Sequence, residues 1–103
     1  MDTFKDREKG FEAKFAHDME LTFLARVRSH YQAGLWAAGM LGKKGDEAHA
    51  YAEAVRIEDF KGSSARAVAA RIRRDLEGRV SDAEIDAKIA ALRAEAEREL
   101  RAP

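Results

Sequence analysis

The sequence contains no cysteine, and its only proline is Pro103. Disulfides and thiolate metal ligands are therefore excluded, and no proline interrupts a helix earlier in the chain. Aromatic residues make up only 8% of the sequence, so the core must be thin. Two packed layers of helix are the natural way to build such a core.

The net charge is zero, because 19 basic residues balance 19 acidic residues. Nothing therefore draws the whole protein toward nucleic acid or anionic lipid. No apolar run approaches the ~18 residues of a membrane-spanning helix, and the first residues lack the apolar stretch of a signal peptide. We expect one small cytoplasmic domain.

The residues that dominate instead are Ala, Glu, Lys, Arg and Leu, all good helix formers. They predict an all-α protein. Glycines and small polar residues separate four helical patterns, at about 18–41, 46–61, 64–78 and 81–100. Asp46 and Ser64 are predicted N-caps, and Ser81 with Glu84 forms a capping box. Short connections favour a compact antiparallel four-helix bundle, residues 18–103.

The long helix carries an apolar face at helical spacing, which we predict to be its core face. That face consists of Leu24, Val27, Tyr31, Leu35 and Ala38. Trp36 and Met40 lie on another side of the same helix, so it should have neighbours on two sides and lie centrally.

The first 17 residues form a polar arm that nevertheless carries three phenylalanines, Phe4, Phe11 and Phe15. On a helix these lie within an arc of roughly 40°. If the helix continues unbroken, Leu24 lies roughly 200° from Phe4. The two apolar stripes then cannot face one partner on a straight helix. Either the chain bends near 16–20, so that the arm folds back onto the bundle, or the phenylalanines face another molecule.

Two stretches carry a family resemblance: "TFKDREKGFEAKFAHD" and "GLWAAGMLGKKGDEAHAYAEAV". They closely resemble the zeta subunit family of α-proteobacterial F1Fo-ATP synthases, small helical proteins that inhibit the F1 ATPase. The resemblance is close over about residues 3–60 and looser beyond. The sequence departs from the family pattern at Lys5, Gly10 and Met19, and we expect weak inhibition, because Gly10 weakens the bound helix and Lys5 alters the charge of its first turn.

The resemblance implies a mobile inhibitory arm at 1–17, disordered or marginally helical when free, attached to the bundle by a hinge at Ala16, His17 and Asp18. The arm is implied to enter a catalytic α/β interface of F1 near the γ subunit and to act as a wedge against rotation in the hydrolysis direction. The implied F1-contacting residues are Phe4, Asp6, Arg7, Glu8, Lys9, Phe11, Glu12, Lys14 and Phe15.

The resemblance further implies a free monomer that binds the α, β and γ subunits of F1. It implies a cytoplasmic location, peripheral to the inner face of the inner membrane through F1. Weak adenine nucleotide binding is implied as well, at a site that these residues do not identify. We expect no other cofactor, no metal and no catalysis. His17, His30 and His49 are far apart and form no metal-ligand pair.

The segment "RAVAARIRRDLEGR" at 66–79 offers an alternative function, because residues 61–80 carry six bases and two acids. Such a helix could bind nucleic acid through phosphates. The competing interpretation, which we favour, is that its arginines pair with acids such as those at 82, 84 and 86. The runner-up to F1 inhibition, ahead of nucleic-acid binding, is a helical interaction module that uses the same arm to bind another partner. We expect the serines to be surface or capping residues: Ser29, Ser63, Ser64 and Ser81.

Overall fold

A computed structural model describes the backbone of residues 3–60 and 65–102. Within these ranges it describes every side chain except those of residues 3–6, 8, 9, 11, 59, 60 and 65. The described residues form four helices and no strand, which confirms the predicted all-α fold. The helices are α1 (Thr3–Met40), α2 (Gly45–Phe60), α3 (Ala65–Asp75) and α4 (Asp82–Arg101).

Helix α1 is one continuous helix of 38 residues. It begins at Thr3, well before the start near Asp18 that the apolar pattern predicts, because Glu, Lys and Ala in the first turns favour helix even without an apolar core face. The backbone at Ala16, His17 and Asp18 is helical. A hinge at these three residues, and mobility of the arm in solution, stay predictions.

The turn after α1 is a glycine-terminated helix end. Gly42 has a φ of +81°, which glycine adopts without the steric penalty of a side chain. The Lys43 N–H donates to the Ala38 carbonyl at 2.9 Å, and the Gly42 N–H donates to the Gly39 carbonyl at 3.1 Å. This pair of bonds is the Schellman motif. It reverses the chain so that α2 runs antiparallel to α1.

The starts of the later helices agree with the predicted caps at one position and differ at another. Ser81 caps α4 as predicted, because its hydroxyl accepts from the Glu84 N–H at 3.2 Å. Asp46 is not the N-cap of α2: the helix begins at Gly45, and Asp46 lies within the first turn. A carboxylate there still interacts favourably with the helix dipole. The predicted cap Ser64 lies outside the described residues.

Helix α1 lies centrally, as predicted, and packs along α2 and α4 with a smaller contact to α3. Its core face, however, agrees with the predicted one only at Ala38, which is fully buried. Leu24 is 42% exposed, and Val27, Tyr31 and Leu35 are only half-buried. The fully buried line on α1 is made of small residues, Ala25, Ser29, Ala33, Ala37 and Ala38.

Small residues are buried on α1 because the helices approach closely. A Cβ added to Gly34 would lie 2.7 Å from the Ala52 Cα of α2, so only hydrogen fits at that crossing. Ser29, which we expected at the surface, is 1% exposed, and its hydroxyl donates to the Arg26 carbonyl at 2.9 Å. One large side chain of α1 is also buried, that of His30, at 2% exposed. The larger apolar core side chains come from the other helices: Val55, Val68, Ile72, Leu76 and Ile85.

Candidate functional site

Near the predicted junction between arm and bundle, the last turn of α4 contacts α1. One Arg101 nitrogen lies 3.5 Å from the Asp18 carboxylate, and another donates to the Thr22 hydroxyl at 3.5 Å. Ten residues further along α1, Arg28 pairs with Glu99 at 3.0 Å. These contacts set the antiparallel register of α4 on α1 and place Asp18 level with the end of α4.

On the N-terminal side of Asp18, the described side chains of α1 lie in solvent. Phe15 is 59% exposed, and every side chain from 12 to 17 is exposed, as is that of Arg7. Of the predicted F1-contacting residues, the structure therefore places Arg7, Glu12, Lys14 and Phe15 at the surface. The side chains of the other predicted contacts lie outside the described ones: Phe4, Asp6, Glu8, Lys9 and Phe11.

Two exposed apolar side chains that the sequence analysis missed continue from Phe15. Met19 is 58% exposed and Phe23 is 47% exposed, and each follows the previous residue by four positions. The same spacing continues through Val27 and Tyr31 to Leu35. We call this row of six residues, 15, 19, 23, 27, 31 and 35, the α1 ridge. The i to i+4 spacing could have revealed it, since such residues adjoin on one helix surface.

The C-terminal half of the α1 ridge, which consists of Val27, Tyr31 and Leu35, lines a groove between α1 and α2. The groove has a volume of about 500 Å³. Its lining residues are Val27, Arg28, Tyr31, Gln32, Leu35, Glu53 and Arg56. The charges at its rim are paired within the protein: Arg56 with Glu53, and Arg28 with Glu99. The hydroxyl of Tyr31, one of these lining residues, lies 2.6 Å from the His49 Nδ1.

A polar cluster joins α2 to α3 on another side of the bundle. The Tyr51 hydroxyl donates to the Asp75 carboxylate at 2.7 Å, and Arg71 contacts Glu58 at 3.3 Å and Asp75 at 3.5 Å. The Arg71 guanidinium also lies 5.4 Å from the centre of the Tyr51 ring. Burial, and then the hydrogen bond to Asp75, raise the pKa of Tyr51. This cluster stabilises the packing of α2 on α3.

The arginines of α3 pair with acids, as the favoured interpretation predicts. Arg73 forms an ion pair with Asp86 of α4 and donates hydrogen bonds to its carboxylate. The hydrogen bonding to Asp86 raises the pKa of the Arg73 guanidinium. Arg71 and Arg74 also lie near carboxylates. The basic segment is therefore neutralised in part by its own protein, which weakens the case for nucleic-acid binding.

The part of the chain that the structure describes holds no cluster of three or more metal-ligating side chains. Among its helices, none combines the length and the apolar character that crossing a membrane requires. Fold and surface together thus define a small all-helical protein whose longest helix displays a row of apolar side chains suited to contact with another protein.

The comparison with protein families assigns the chain more specifically. The family model described as ATPase inhibitor subunit zeta matches residues 1–99, and the chain belongs to that family. The suspected resemblance is confirmed. No curated protein and no solved structure matches the chain.

Proposed function

We propose that this protein is the regulatory inhibitor subunit of the F1Fo-ATP synthase and that its N-terminal arm, residues 1–17, enters a catalytic α/β interface of F1 next to the γ subunit. There the arm acts as a wedge that blocks rotation in the direction of ATP hydrolysis. The proposal gives the protein no catalysis of its own and no cofactor. It places the protein on the cytoplasmic side, at the inner face of the inner membrane, through its contact with F1.

The observation that supports this proposal most is the exposure of Phe15 on a helix that continues past the level of the last turn of α4. A buried phenylalanine side chain contributes roughly 1.5–3 kcal/mol when it leaves water, so a partner that covers Phe15 gains substantially. Phe4 and Phe11 are predicted to share its face, by their spacing. Helix-in-groove recognition uses anchors at this spacing.

Exposed charges on the arm supply the second part of the recognition. Arg7, Glu12 and Lys14 are exposed and alternate in sign, so they suit ion pairs along a groove of mixed charge. Such pairs fix register and orientation more than they add affinity. Phenylalanine anchors therefore account for the binding strength in this proposal, and the charges account for the register.

The free-energy cost of forming helix in the arm is reduced, because the arm extends a helix that the bundle already stabilises. An isolated helix of this length is marginal in water, since the first turn is costly to nucleate. In α1 that first turn is already formed by the packed residues beyond Asp18. Gly10 opposes extension by up to about 1 kcal/mol. We therefore propose that the arm is marginally helical when free and becomes ordered on F1.

The decisive experiment is an ATP hydrolysis assay with F1 from the same source, titrated with the full-length protein and with a form lacking residues 1–16. We expect the full-length protein to inhibit and the shortened form to lose inhibition. Phe15→Ala should weaken inhibition, and Met40→Ala, at an exposed methionine on the other end of α1, should not. Equal inhibition by the full-length and shortened proteins would rule out the arm.

A helical interaction module for a different partner remains the second candidate, because the same exposed row on α1 would serve it. Co-purification separates the two: association with α, β and γ subunits supports the inhibitor, and association with unrelated proteins alone supports the module. Nucleic-acid binding is the third, and retention on a nucleic-acid column at physiological salt would revive it. Weak adenine nucleotide binding stays a prediction with no assigned site.

A further inference from the structure

We infer that the partner-binding surface does not stop at the arm but continues along the α1 ridge over Met19 and Phe23, and that this part of the ridge receives one amphipathic helix of the inhibited ATPase. The inference rests on the proposed function, since the arm brings that partner to the ridge. It adds Met19 and Phe23, which lie on the bundle side of Asp18, to the contact surface.

The first support is that the exposed apolar surface is unbroken. Phe15, Met19 and Phe23 are the three most exposed of the large hydrophobic side chains of the described residues, at 59%, 58% and 47%. They follow one another at the spacing that brings side chains into contact on a helix. A partner that covers Phe15 therefore meets Met19 and Phe23 along the same row, with no polar residue between them in that row.

The second support is the shape of this row. Residues spaced by four form a ridge inclined about 26° to the helix axis, and two such ridges interdigitate when helices cross at about 50°. From Phe15 to Phe23 the ridge rises by about 12 Å, at ~1.5 Å for each residue. That length is close to the ~10–12 Å diameter of a helix with its side chains. The exposed part of the ridge thus matches the footprint of a single crossing helix.

The third support is the chemistry where the ridge enters the bundle. Val27, Tyr31 and Leu35 form one wall of the groove between α1 and α2. The charges at the rim of that groove are paired inside the protein, Arg56 with Glu53 and Arg28 with Glu99. A groove with an apolar wall and a neutralised rim suits apolar side chains better than a charged small molecule. This favours the apolar face of a helix as the occupant.

Helix α4 leaves the ridge accessible. Arg101 contacts Asp18 and Thr22, which lie about 140° and 100° from Phe23 around the helix, although Thr22 lies only about 60° from Met19. Beside this contact Met19 and Phe23 stay 58% and 47% exposed. The partner helix and α4 can occupy α1 at the same level.

The test compares two full-length variants that make the same change at exposed methionines of the same helix, Met19→Lys on the ridge and Met40→Lys away from it. Lysine has nearly the helix propensity of methionine, so both variants should keep their thermal unfolding midpoint. We expect Met19→Lys to raise the concentration for half-maximal F1 inhibition about tenfold, the size typical of a buried anchor. Met40→Lys should leave it unchanged. A photo-crosslinking residue in place of Phe23 should label a helix of F1, and one in place of Met40 should not.

Three results would overturn the inference. The first is that Met19→Lys inhibits as well as the wild type while Phe15→Lys inhibits less. In that case the arm binds F1 but the contact surface does not extend to Met19. The second is equal loss in Met19→Lys and Met40→Lys. The third is a dimer of the free protein in sedimentation that Met19→Lys dissociates, since a second copy would then be the occupant. Failure of the proposed function is distinguished from all three by undiminished inhibition from the form lacking residues 1–16.

Discussion

The two halves of α1 carry very different side chains on one helical face. Ala33 follows Phe15 by five full turns, at about 3.6 residues a turn, so the two point in the same direction. Ala33 is fully buried and Phe15 is 59% exposed. Ser29 and Ala37, one turn on either side of Ala33, are also buried. The face is therefore the same, and what differs is whether the bundle covers it.

This difference shows that residue size suits one half of the helix to close packing and the other half to contact with a partner. In the bundle half, small side chains let neighbouring helices approach until the Gly34 position nearly touches the Ala52 backbone. In the arm half, a large aromatic side chain on the same face reaches into solvent. Phenylalanine at the Ala33 position would hold the helices apart, and alanine at the Phe15 position would give a partner little apolar area to bury.

The largest expected effect compares the truncation of a core side chain of the bundle, on α3, with the truncation of an exposed side chain of the arm. Ile72→Ala removes a fully buried core side chain and should lower the free energy of unfolding by about 2–5 kcal/mol. Phe15→Ala should change it by less than about 0.5 kcal/mol, because exposed side chains contribute little to stability. Urea titration followed by circular dichroism measures both. A loss above 1 kcal/mol in Phe15→Ala would contradict the division of α1.

The next effect tests the close approach within the bundle half. Gly34→Ala places a methyl group against the Ala52 backbone, so it should destabilise the protein by about 1–3 kcal/mol. Gly39→Ala is the matched control on the same helix, where a Cβ would meet nothing within 4 Å. It should stabilise by roughly 0.5–1 kcal/mol, since alanine favours helix. Thermal unfolding that moves in the same direction for both variants would refute this reading of the crossing.

The third prediction concerns the polar cluster that holds α3 on α2. Tyr51→Phe removes the hydrogen bond to Asp75 and should cost about 1–2 kcal/mol. Since burial and that bond raise the pKa of Tyr51 above its usual value, the folded state keeps the proton after the unfolded state has lost it. The stabilisation is complete below about pH 10 and declines as the pH rises above it. Stability of the wild type should therefore fall more steeply than that of Tyr51→Phe between pH 9 and 11, and equal slopes would disprove the link.

The smallest effect sharpens the boundary between the two halves. Arg101→Ala removes the contacts to Asp18 and Thr22, but the Arg101 and Asp18 side chains are 44% and 45% exposed, so the loss of stability should stay below about 1 kcal/mol. The measurable result is local: amide hydrogen exchange should become faster around Asp18. Arg98→Ala, in the same last turn of α4, is the control. Equal exchange rates in the two variants would show that Arg101 does not secure the base of the arm.

Much of the fold could be predicted from local signals in the sequence. Ser81 caps α4 because a hydroxyl at that place satisfies a free N–H of the first turn. The turn after α1 forms because Gly42 adopts a positive φ. Charge balance along the chain also predicted that arginines of α3 pair with acids such as those at 82, 84 and 86, and Arg73 does pair with Asp86. Each of these depends on neighbours in sequence or on simple composition.

The core face of α1 could not be predicted in the same way. Leu24, Val27 and Tyr31 attract attention because they are large and apolar, yet the buried line runs through Ala25, Ser29 and other small residues. A search for large apolar residues gives little weight to alanine and none to serine. Which face is buried depends on how closely α2 and α4 approach, and that distance is a property of the whole bundle.

The candidate site was predicted in its exposed character but not in its extent. Phe15 and the charges near it lie at the surface as expected, and contact with F1 stays a prediction. Met19 and Phe23 were missed because the expected boundary at Asp18 separated them from the arm. Only the continuous helix, together with the exposure of Met19 and Phe23, shows that the apolar row crosses that boundary.

Because α1 is a single helix through the boundary, the number of residues between the arm and the bundle sets how far the arm is rotated about the helix axis relative to the bundle. Inserting one alanine after His17 would advance the arm by only about 1.5 Å but turn its phenylalanines by about 100° relative to the bundle. Inserting seven residues would nearly restore the original direction, at about two turns of added length. The orientation in which the bundle presents its leading segment is therefore encoded in residue count, independent of which residues are used.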